Sequence, residues 1–121
     1  MKLGDAFLMP DSSQSRHLYI VISDPATNAG TFVIVNITGD RFRTAQECVL
    51  NVGDHPWIKK TSYVAFSDAL EITPIIANKL NKRIATNIIK LQPSLESKVL
   101  ERIISAAKVS TALAENLKKY L

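Results

Sequence analysis

The chain predicts an α+β fold, with a small barrel or strongly bent sheet over residues 1–72 and helices over residues 73–121. Three observations predict it. The runs HLYIVIS (17–23) and TFVIVNIT (31–38) are rich in β-branched residues, too short for buried helices, and stopped by turn formers. Beyond residue 72 the apolar spacing lengthens to every fourth residue, as in Leu95, Val99, Ile103 and Ala107. Strands that come first and helices that come last segregate the two kinds of element, and five or six strands in about 70 residues must bend to share one core.

Taken in order, Ala6 to Met9 form a short apolar strand ended by Pro10, and DSSQSR (11–16) is a polar loop. The strand at 17–23 stops at Asp24-Pro25, ATNAG (26–30) turns the chain, and the strand at 31–38 stops at Gly39-Asp40. A weaker strand covers 47–51, another covers 62–66, and a last short one covers 69–72. Thr73-Pro74 places a capping hydroxyl before a proline at the first helical position, opening a helix to about Lys82. Residues 86–91 are ambiguous between helix and extended chain. Pro93 opens the next helix, whose apolar face also takes in Leu100 and Ile104, and Ser110 or Thr111 caps a final helix holding Leu113, Leu117 and Leu121. No linker divides the 121 residues, so they read as one domain.

The composition excludes several functions. One cysteine, Cys48, rules out an intrachain disulfide and suits a reducing, cytoplasmic setting. Cys48 lies inside an apolar strand, where a thiol packs as a small hydrophobe rather than reacting. The start, MKLGDAFLMP, lacks the long apolar run of a secretory signal, and no segment approaches membrane-spanning length. No Cys-x-x-Cys or His-Glu-x-x-His spacing offers a metal site, and the four glycines form no phosphate-binding loop, so neither metal nor cofactor is expected. The net charge of +4 permits an anionic partner, and its excess lies after Thr61.

What remains is a set of polar residues at strand ends. If 17–23 and 31–38 pair as an antiparallel hairpin, His17 and Thr38 fall at one end, with Arg41 and Arg43 nearby. The turn GDHPWIKK (53–60) adds His55, the single tryptophan Trp57, and Lys59 and Lys60. Metal-free RNA cleavage asks for such groups. A base takes the 2′-hydroxyl proton, an acid protonates the leaving oxygen, and a cation holds the charge on phosphorus. His17 and His55 would form the acid/base pair, Thr38 would join them, and the arginines, lysines and Trp57 would hold RNA. Each residue also has a plainer reading. His17 opens a strand, His55 shapes a turn before proline, Trp57 plugs a core, Lys59 and Lys60 are solvated, and Thr38 ends a strand.

Gly4-Asp5 before a short strand, HLYIVIS and VIVNIT resemble the MazF/PemK-like toxin superfamily over roughly residues 4–72, and the GDHPWI turn followed by SYV looks like a feature of one branch of it. The resemblance implies an SH3-like β-barrel with C-terminal helices, usually a homodimer. It also implies a metal-independent endoribonuclease of a toxin-antitoxin pair, inhibited by a cognate antitoxin protein. Aligned on Val21-Ile22-Ser23, the family's catalytic basic residue falls on His17, with Arg16 beside it, and its strand-end threonine falls on Thr38. Leu18 stands where the family has proline, and His17 where it has arginine. Two other functions fit the residues: a non-catalytic module binding an acidic peptide or nucleic acid, and a subunit that pairs through the apolar face of helix 93–109.

Overall fold

The computed structural model describes residues 1–10 and 15–121, with Arg43 described in its backbone alone. Most of the predicted polar loop after Pro10 therefore lies outside the described residues. The chain forms β1 (Ala6–Pro10), β2 (Arg16–Val21), β3 (Phe32–Thr38), β4 (Val49–Leu50), β5 (Ser62–Ile72), α1 (Pro74–Ala85), β6 (Lys90–Gln92) and α2 (Ser97–Val109). Short 3-10 turns sit at Pro25–Thr27, Arg41–Arg43 and Glu115–Tyr120. The fold is α+β: one six-stranded antiparallel sheet in the order β4-β5-β3-β2-β1-β6, curled into a half-barrel.

β2 and β3 pair antiparallel, with Leu18 opposite Ile37 and Tyr19 opposite Asn36. All seven residues of β3 are buried, because both faces of this central strand are covered. That is why FVIVNIT shows no polar alternation. The two short strands expected at 62–66 and 69–72 are one long strand. Ile34 faces Leu70 and Asn36 faces Ala65, so Val35 alone stands against Phe66 to Ala69. β5 bulges there, which bends the strand and increases its twist. The ambiguous stretch after α1 resolves in part to extended chain, since Lys90–Gln92 pairs with β1.

Side chains alternate across the sheet. On the first face Leu8, Leu18, Ile20, Val33, Val35, Ile37 and Val64 pack with Val99, Ile103 and Ala107 of α2 and with Leu113 and Leu117 beyond it. The four-residue apolar spacing of α2 thus faces its own sheet, and Ile103 is fully buried. This corrects the idea that the helix uses that face to pair with another chain: the intramolecular core already occupies it. On the second face Phe7, Val21, Phe32, Ile34, Ile72 and Ile89 pack with Leu80 of α1. α1 starts as expected, with Thr73 Oγ1 accepting from the Ile76 N–H and Pro74 at its first position. Leu80 is its one buried residue, while Ile75 remains 71% exposed. α1 therefore covers the Phe32–Ile72 end of the second face, away from His17 and Thr38.

Two ties hold the ends of the chain. Gly4, at φ 88°, donates its N–H to Val21 O (2.9 Å) and accepts from the Leu95 N–H (3.0 Å). A side chain there would meet Leu100 and the left-handed backbone alike. The final helix expected from Ser110 onward is instead a capped turn and a 3-10 segment. Ser110 Oγ accepts from the N–H groups of Ala112 and Leu113, and the Ser110 hydroxyl donates to Glu47. Glu47 also accepts from the Thr111 N–H (2.8 Å), and the Tyr120 hydroxyl donates to Glu71 (2.6 Å). Among the described residues, no helix is long and apolar enough to cross a membrane.

Candidate functional site

His17 sits on β2 opposite Met9, on the same face as Tyr19, Asn36 and Thr38. Continuing the register of β2 and β3 by one step beyond Leu18 and Ile37 brings His17 opposite Thr38. The expected juxtaposition of these two residues is therefore met, at the end of the sheet that α1 leaves open. Thr38 is buried, and its Oγ1 accepts from the Asp40 N–H (3.1 Å), which turns the chain out of β3. Arg41 follows in the 3-10 turn, exposed, with its guanidinium 4.8 Å from the centre of the Phe42 ring. That ring is itself 84% exposed. Arg16 is exposed at the start of β2, at the same end.

The GDHPWI turn reaches this end of the sheet from the other face. Asp54 accepts from the Asn51 N–H (2.8 Å) and from Arg102 of α2 (2.6 Å). Burial pushes its carboxyl up, but those two donors outweigh it and hold the carboxyl below its ordinary value. His55 is buried and both ring nitrogens are engaged. Nδ1 accepts from the Trp57 N–H (3.0 Å), and Nε2 lies 2.7 Å from Pro93 O. A carbonyl only accepts, so Nε2 carries the proton and the ring is the neutral Nε2–H tautomer. Trp57 packs against the first core beside Ile58. Lys60 lies over Gly39, where a side chain would collide with it. Gly39, Trp57, Ile58, Lys59, Lys60 and Ser62 line a cavity of about 460 Å³.

The structure thus gathers His17, Thr38, Arg16, Arg41, Lys59 and Lys60 at one end of the sheet. It does not bring His55 beside His17. His55 pins the turn to the segment before α2 on the first face, while His17 looks out from the second. Cys48 is buried, and burial pushes its thiol up against the opposing pull of Arg102, so it packs rather than reacts.

One residue was not anticipated from the sequence. Asn36 is only 6% exposed, and its Oδ1 has no hydrogen-bond partner among the described residues. It helps line a cavity of about 450 Å³ with His17, Tyr19, Ser67, Asp68, Ala69 and Leu70. The β5 bulge makes this space, because β5 bows away from β3 directly beside Asn36. A lone amide inside an otherwise apolar strand was the available signal, since a buried polar residue is the informative exception in a core. No family model matches the chain, and no curated protein is similar enough to it to count as a relative.

Proposed function

We propose that the chain binds single-stranded RNA at the open end of the second face and cleaves it without a metal ion. The observation supporting this is the meeting of His17 and Thr38 on one face, with the exposed cations Arg16, Arg41, Lys59 and Lys60 at the same end of the sheet. His17 accepts the 2′-hydroxyl proton as O2′ attacks phosphorus and the P–O5′ bond breaks. The products are a 2′,3′-cyclic phosphate and a 5′-hydroxyl. The leaving O5′ recovers a proton from His17 or from water. The Thr38 hydroxyl and the arginines hold the phosphate oxygens as charge gathers there. Exposed Phe42 and half-buried Trp57 offer rings on which bases stack.

The curled antiparallel sheet with appended helices supports reading the fold as an SH3-like barrel of the MazF/PemK-like kind. On that reading the protein is a toxin of the cytoplasm that forms homodimers, and an antitoxin with an acidic segment lies across the basic end. A second reading has one observation in its favour. His55 is committed to backbone, so a single imidazole faces the site, and a module that holds RNA without cutting it needs no more. Incubating a single-stranded RNA with the protein in excess chelator separates the two. Cleavage by wild type that is lost in His17→Ala supports the nuclease, whereas tight binding with intact RNA supports the module.

A further inference from the structure

We infer that the cavity over the β5 bulge is a base-reading pocket for an amino nucleobase (adenine, cytosine or guanine) rather than uracil. The inference rests on the RNA-binding reading above and deepens it. An unmet acceptor at the centre of a sheet is destabilising, yet Asn36 Oδ1 occupies such a place and belongs to the lining of a cavity. About 450 Å³ is within the range of small-ligand clefts, roughly 300–1,000 Å³.

The walls suit a flat ring. Tyr19 is held by its stack on Phe7, with centroids 5.7 Å apart and planes 13° from parallel, so it presents a fixed surface. Splayed RNA bases are commonly read between such rings and on their hydrogen-bonding edges. The polar groups then decide which base. Asn36 Oδ1 needs a donor, and the Asp68 carboxylate on the bulge only accepts. An amide turned over would donate to a keto base, but Asp68 has no such freedom, so the pair favours N–H donors. Adenine, cytosine and guanine each carry an exocyclic amine whose two N–H groups can serve both acceptors, whereas uracil offers a single ring N–H between two carbonyls. A cationic peptide side chain would also donate, but Arg16 and Arg41 stand at the same end of the sheet and repel it.

Fluorescence anisotropy with labelled 2′-O-methyl oligonucleotides of equal length tests this, because the methyl group blocks cleavage. Wild type is expected to bind oligo-A or oligo-C about tenfold more tightly than oligo-U. Asn36→Leu and Asp68→Asn are expected to remove most of that preference. A melting curve checks Asn36→Leu for folding. Should it fail to fold, Asp68→Asn, at an exposed position of the bulge, carries the test alone. Equal affinity for all three oligomers in wild type overturns the pocket and leaves RNA binding standing. Binding of none of them, or of an arginine-rich peptide instead, overturns the RNA reading and the pocket together.

Discussion

The two histidines differ in what their neighbours allow. His55 is closed in by two backbone partners, one from its own turn and one from Pro93. His55→Ala leaves the Pro93 carbonyl and the Trp57 N–H without that ring, and is expected to cost about 2 kcal/mol. A urea midpoint shift at constant slope would show this, with cleavage per folded molecule unchanged. Loss of cleavage in a fully folded His55→Ala would instead extend the site to the first face. His17 is only half-buried on the open face. His17→Ala is expected to lower cleavage by about 100-fold or more, the low end of what a positioned general base supplies, while the melting temperature barely moves. Both variants were legible as candidates from residue type and scarcity. Which histidine faces the site was not, because the distinction depends on a carbonyl 38 residues away in sequence.

At the scale of elements, α2 was readable because its apolar positions recur on one face and that face meets the sheet. Ile103→Ala should therefore cost about 2–5 kcal/mol as a core cavity. Ile103→Glu should unfold the chain rather than split a dimer, a difference that circular dichroism and sedimentation distinguish. The strands at 17–23 and 31–38 were readable for a different reason, since burial of β3 on both faces leaves an almost unbroken apolar run. The β5 bulge was not. Ser67-Asp68 looks like a break between two strands, and only pairing with β3 shows that the strand continues past it. The C-terminal clasp was equally hidden, since Glu47 meets Ser110 and Thr111 more than 60 residues away. The Ser110 hydroxyl first, with the Thr111 and Ala112 N–H groups, holds the Glu47 carboxyl below its ordinary value despite partial burial. A carboxyl depressed in the folded state stabilises fully above its unfolded pKa, and that contribution is lost as pH falls through the folded value. Stability measured by melting should thus decline below a pH of about 4, and Glu47→Gln should flatten part of that decline, leaving the share that belongs to Asp54.

Over the whole molecule, sequence order and spatial order disagree about charge. Along the chain the basic excess lies after Thr61. In space, the exposed cations around His17 and Thr38 come from the first 60 residues, where acids balance them in number. Three of those acids are engaged away from that end, since Asp5 pairs with Lys2, Asp54 with Arg102, and Glu47 caps the Ser110 turn, while Asp40 stays beside Arg41. Arg16, Arg41, Lys59 and Lys60 all stand exposed at one end of the sheet. If RNA lies there, each neutralised phosphate releases counterions and affinity falls with salt. Four contacts to a single strand give a log–log slope of about −3. Removing two of them in Lys59→Ala/Lys60→Ala should make the slope shallower by about 1.4. The same substitution at Lys108 and Lys119, exposed on the helical part, should leave the slope unchanged. Titrations at several salt concentrations settle where the strand lies. A slope that responds to Lys108 and Lys119 instead would move the RNA off the open face, and with it the case for His17 as the base.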